Sequence, residues 1–166
     1  MSGKILALIL AVVAVATAIG VYYLQVFYYY DRVSPDTFAL ATESGPVDLR
    51  ARRIDAIDAN SSPIRFRACF DTDVTPPADA VPYDGAVPLT APFWFNCYDA
   101  TAIGTALADG TALAYLSQKN IEYGVDRIVA LTADGRGYVW HQLNNCGETA
   151  YDGTQIGEDC PPREDQ

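Results

Sequence analysis

The sequence predicts an α+β protein: an N-terminal transmembrane helix followed by a small antiparallel-sheet domain with one main helix. Three observations lead there. Ile5 to Tyr30 is an unbroken uncharged run, with Lys4 before it and Asp31 directly after. Ile64 to Phe70 alternates strictly, with Ile64, Phe66, Ala68 and Phe70 on one face and Arg65, Arg67 and Cys69 on the other, the period of a strand. Two further strand-like runs, Val125 to Thr132 and Gly137 to Leu143, flank Asp134-Gly135-Arg136, the turn chemistry of a β-hairpin.

The apolar run is long enough for a bilayer, because a helix rises about 1.5 Å per residue and the hydrocarbon core is about 30 Å thick. It ends in Tyr22, Tyr23, Phe27, Tyr28, Tyr29 and Tyr30, the aromatic composition of a membrane–water interface. A cleaved signal peptide competes with the anchor reading, since Ala16-Thr17-Ala18 is a small-x-small site. Cleavage there would leave an exposed apolar tail, Ile19 to Phe27, so residues 1–30 are assigned as an uncleaved anchor rather than a signal peptide or a buried core helix. Ala7, Ala11, Ala14 and Ala18 recur at steps of four, three and four, with Gly3 extending this small-residue stripe and Gln25 closing it. Such stripes permit close helix approach in lipid, and an amide can hydrogen-bond across the contact. Other transmembrane helices of a larger complex are the expected partners.

Residues 31–46 are expected to be a linker, on the turn signals Ser34-Pro35 and Ser44-Gly45-Pro46. The globular domain is assigned to residues 47–160. Val47 to Ile57 is expected as an edge strand, and Thr75 to Pro92 as a proline-rich loop. Phe93-Trp94-Phe95-Asn96-Cys97 is expected as a short aromatic strand. Asp99 is expected to cap a helix carrying Ala102, Ile103, Ala106 and Leu107, with Gly110 stopping it and a strand from Thr111 to Leu116 after it. Residues 161–166 are expected to be a disordered tail.

Beyond the apolar run lie all 21 acidic and 10 of the 11 basic residues, a net formal charge of −11 for residues 31–166. That excludes the basic footprint of a nucleic-acid binder and disfavours anionic lipid. It suits solubility, or docking of a basic soluble periplasmic protein such as an electron carrier. Orientation is ambiguous by basic residues alone, because Arg32, Arg50, Arg52 and Arg53 follow the run and only Lys4 precedes it. The cysteines decide it. Cys69, Cys97, Cys146 and Cys160 all lie beyond the run, an even count that suggests disulfides and an oxidising compartment. Three pairings are possible. Cys69–Cys97 is favoured because both lie in apolar, strand-like stretches, and Cys146–Cys160 because they bracket a glycine-rich loop.

Catalytic signatures are absent or weak. His141 is the sole imidazole and lies in the strand Tyr138-Val139-Trp140-His141, on the face of Val139 and Leu143, where a partly buried, hydrogen-bonded role is expected over pairing with Cys146. There is no Gly-x-Ser-x-Gly elbow, no Cys-x-x-Cys pair for zinc, no haem motif and no phosphate-cradling glycine loop. Asp71, Asp73, Asp79 and Asp84 lack calcium-loop spacing. Asn60-Ser61-Ser62 matches a glycosylation acceptor, a pattern common by chance. No catalytic, cofactor or metal residues are assigned.

Several stretches taken together resemble an alphaproteobacterial family of uncharacterised single-pass membrane proteins: Ser2-Gly3-Lys4-Ile5, Tyr22 to Val26, Ser61 to Phe70, Leu89 to Pro92 with Trp94-Phe95, and Trp140-His141-Gln142 with Asn145-Cys146-Gly147. The family is a domain of unknown function, some of whose members are loosely labelled histidine kinase. No nucleotide-binding glycine motif follows His141 to support that label. The resemblance implies a bacterial inner-membrane protein with its domain in the periplasm. The expected function is a non-enzymatic accessory or assembly subunit of a membrane complex, with a respiratory complex as the candidate setting. A membrane-anchored binding or sensing module is the alternative, and an anchored hydrolase or thiol enzyme a distant third.

Overall fold

The computed structural model describes residues 3–147, 149–154 and 160. Helix α1 (Gly3–Tyr23) continues into π-helical turns (Leu24–Tyr28) and buries none of its residues. Its most apolar stretch has a mean hydropathy of 2.7, so length and composition suffice to cross a membrane.

Eight strands follow: β1 (Asp31–Val33), β2 (Ala39–Leu40), β3 (Val47–Asp48), β4 (Arg52–Asp58), β5 (Arg67–Asp71), β6 (Ala112–Glu122), β7 (Val125–Thr132) and β8 (Arg136–Leu143), with α2 (Ala100–Ala108) between β5 and β6. Six of them form an antiparallel sheet in the order β1-β4-β5-β8-β7-β6, and β2 pairs with β3 separately. The α+β expectation stands.

Strand alternation divides the core between the two faces of this sheet. Ala56, Ala68, Phe70, Val129, Leu131 and Val139 face one way and are covered by Phe38, Leu40 and Leu49. Ile57, Ile128, Ala130 and Trp140 face the other way, under Phe95, Tyr98 and Ile103. The β7–β8 hairpin forms as expected, with Gly135 at φ +83°, a left-handed conformation in which only glycine is unstrained. Asp99 caps α2 as expected, its carboxylate accepting from the N–H groups of Thr101 and Ala102.

Four expectations need correction. Residues 31–46 are not a tether: β1 pairs with β4, and Phe38 and Leu40 are buried in the core. Their turn-forming neighbours masked two short apolar pairs. Within Val47–Ile57, β4 is not an edge, because β1 covers one side of it and β5 the other. Ile64 and Arg65 belong to a 3-10 turn (Pro63–Arg65), so β5 starts at Arg67, although Phe66, Ala68 and Phe70 keep the shared face. Phe93–Cys97 is not a strand. The N–H groups of Phe95 and Tyr98 donate to the carbonyls of Pro92 and Phe95, winding the segment into turns that bury Phe95 and Tyr98, three residues apart. Residues 161–166 lie outside the described residues.

Both expected disulfides are present, Cys69–Cys97 and Cys146–Cys160. The first joins β5 to the turns before α2. The second ties Cys160 to the loop after β8.

Candidate functional site at the helix–domain junction

An α-helix leaves its last carbonyls without intrahelical partners. Here one of them is taken by the domain: the Trp94 indole N–H donates to the carbonyl of Val26 at 2.8 Å. The rings then follow. Phe27 stacks on Trp94 with centroids 6.3 Å apart and meets Phe93 edge-on at 5.8 Å. Tyr30 meets Trp94 edge-on, and the Arg65 guanidinium lies over the Tyr30 ring at 5.6 Å. Each aromatic pair contributes about 0.5–1.5 kcal/mol beyond its buried area. The collar formed by Phe27, Tyr30, Phe93 and Trp94 therefore docks the foot of the apolar helix on the domain. Phe93 nonetheless remains 68% exposed.

The alanines of the stripe, Ala7, Ala11, Ala14 and Ala18, all lie in α1 and are exposed. Gln25 lies in the π-helical turns, where each residue advances by less than in an α-helix, so its phase lags the stripe.

His141 occupies a different place, beside a cleft of about 300 Å³ lined also by Asp58, Asn60, Ser62 and Glu122. The imidazole itself is buried and stacks on Phe66 at 4.7 Å. Arg127 donates from Nε to His141 Nε2 at 3.0 Å, which makes Nδ1 the protonated nitrogen, and Nδ1 donates to the Pro63 carbonyl at 2.7 Å. Burial pushes the pKa down to about 4, and the Arg127 and Arg67 guanidiniums add to the fall against the opposing Pro63 bond. Both nitrogens are engaged, so neither is poised to take a proton or a phosphoryl group. Cys146, five residues further along the chain, is held in a disulfide and offers no thiol to pair with the imidazole.

Two buried polar centres carry no clear signal in the sequence. The Arg67 guanidinium, 4% exposed, donates to the carbonyls of Leu89, Ile64, Phe66 and Thr90. It thereby fastens the proline-rich loop to β5. Asp126, also buried, accepts at Oδ1 from the Asn120 N–H and from Asn144 Nδ2, and at Oδ2 from the Tyr83 hydroxyl. Burial, then the charge of Asp126, raises the Tyr83 pKa to about 12, so the phenol keeps the proton it donates. Asn144 Oδ1 in turn accepts from the Cys146 N–H, which positions the second disulfide.

A groove of about 560 Å³ runs beside Cys69–Cys97 and is lined by Arg53, Asp55, Asp71, Arg136 and Tyr138. Among the described residues no three His, Cys, Asp or Glu side chains gather as a metal-ligand set.

These elements define a class: a disulfide-braced α+β domain docked through an aromatic collar on a long apolar helix. Residues 37–161 match a family of unknown function, DUF6446, and the chain belongs to that family. The match begins one residue before the buried Phe38. No curated protein and no solved structure matches the chain.

Proposed function

We propose that the protein is a non-enzymatic accessory or assembly subunit of a bacterial inner-membrane complex, with residues 3–30 as its anchor and the disulfide-braced domain in the periplasm. One observation carries this reading: the collar fastens the foot of α1 to the domain while the whole of α1 stays uncovered. A helix docked in this way has a set rotation relative to its domain, so its alanine stripe addresses one direction in the membrane. A helix serving only as a lipid tether has no need of such a fixed face. Two disulfides suit an oxidising compartment. The acidic domain suits a basic soluble partner there, and a respiratory complex is the setting we favour.

The groove beside Cys69–Cys97 favours a second reading, an anchored binding or sensing module, because Arg53 and Arg136 line a concave surface of small-ligand size. Purification from native membranes under mild detergent separates the two. Stoichiometric co-purifying membrane subunits support the first. A retained small molecule or soluble protein, with no membrane subunit, supports the second.

A further inference from the structure

We propose that the Phe93–Trp94 turn is a membrane-surface foot, seated in the headgroup region of the same leaflet from which the anchor emerges. The inference rests on the anchored reading of residues 3–30 and goes beyond it, because it assigns a lipid-binding surface to the globular domain. The depth follows from the helix. About 20 helical residues counted from Ile5 span a hydrocarbon core of about 30 Å, which brings the chain to the level of Leu24. Val26 and Phe27 then lie at the interface. Trp94 is bonded to the first and stacked on the second, and Phe93 meets Phe27 edge-on. Neither ring can leave that depth without breaking the junction.

The occupant of the exposed surface follows from the same continuity. Phe93 is 68% exposed, Tyr28 66% and Phe27 and Tyr29 each 39%, so the apolar surface of the helix foot continues onto the domain without a polar break between Phe27 and Phe93. Large exposed rings on a water-facing loop are unfavourable. At a bilayer interface the same rings are favoured: the indole and phenol sit among headgroups, and Phe93 reaches the upper acyl region. The acidic charge of the domain makes zwitterionic lipid the better surface.

The two tryptophans make the proposal directly readable. Trp94 is at the collar, whereas Trp140 is fully buried in the sheet core. The full-length protein is reconstituted into phosphatidylcholine vesicles containing lipids brominated either near the headgroup or near the chain end, and tryptophan emission is compared with that in unbrominated vesicles. The expected result is loss of one emission component with the shallow bromines, a smaller loss with the deep ones, and a residual unquenched Trp140 component. Trp94→Phe, which keeps a stacking ring, should remove the quenched component and leave the residual. Phe93→Ser, at an exposed position, should weaken the shallow quenching without altering either disulfide on peptide mapping. Protein that floats with the vesicles yet shows no quenching of Trp94 overturns the proposal and leaves the anchor intact; the collar would then be a protein-facing surface. Protein that does not float overturns the anchor, and the foot with it.

Discussion

Four main-chain carbonyls, rather than a carboxylate, take the hydrogen bonds of the Arg67 guanidinium, and a lysine, with three donors on one point, cannot reproduce that planar fork. Burial holds the Arg67 pKa below the usual guanidinium value, with Tyr98 the leading opposing influence. His141 is the residue whose titration can be read in isolation, because it is the only imidazole in the chain. The charges around it are Arg127 and Arg67 against the ring, with Asp58 and Glu122 lining the adjoining cleft. Its folded pKa, about 4, is depressed below the ordinary 6.5, so the unfolded chain binds the extra proton first. Stability is therefore full above about pH 6.5 and falls as the pH drops toward 4. The expected loss between about pH 7 and about pH 5 is of the order of 2 kcal/mol, one proton's worth of linkage. Urea midpoints measured across this range should fall with acid in the parent protein. In His141→Gln, which is less stable at neutral pH, they should be nearly level over the same range. An equal slope in both would mean that the proton goes elsewhere.

At the scale of elements, two glycines with opposite surroundings test the packing of the sheet. A Cβ on Gly137 of β8 would lie 2.1 Å from the Phe70 ring, which is packed in the core beneath it. Gly137→Ala should cost roughly 1–3 kcal/mol, the usual penalty for overpacking. Gly104 in α2 has open space around its Cβ position, so Gly104→Ala should stabilise by about 0.5–1 kcal/mol through helix propensity. Thermal or urea unfolding of the two variants reads both signs, and a neutral Gly137→Ala would contradict the Phe70 packing. The same elements explain what could be read from the sequence. The β7–β8 hairpin and the Asp99 cap are written in local turn and capping chemistry, so they were legible. Strands β1 and β2 have three and two residues, too short to establish a period, and they exist because β4 and β3 accept them. Phe93–Cys97 has strand-forming residues, but Pro92 and the need to bury Phe95 and Tyr98 together override that propensity. The collar itself was half legible. The aromatic end of the apolar run was plain, whereas its partner Trp94 lies 68 residues from Val26, and no local pattern links them.

For the whole molecule, the central question is whether α1 meets another helix. The collar fixes the rotation of α1 on the domain, so on the subunit reading the stripe of Ala11, Ala14 and Ala18 must present itself to one neighbour. Small side chains allow helix axes to approach to about 8 Å, and a leucine at the centre of the contact prevents this. Ala14→Leu should therefore dissociate the partner complex. It should leave the domain folded, because the two core clusters and both disulfides involve no residue of α1. Ala16 is two residues on, about 200° around the helix, so Ala16→Leu adds the same bulk to the opposite side. Co-purification of membrane subunits from native bilayers is compared for the parent, Ala14→Leu and Ala16→Leu, with disulfide mapping as the check on folding. Loss confined to Ala14→Leu identifies the stripe as the contact. Equal retention in all three would reduce α1 to a plain anchor, and the function would then have to reside in the domain, with the groove beside Cys69–Cys97 as the first place to look.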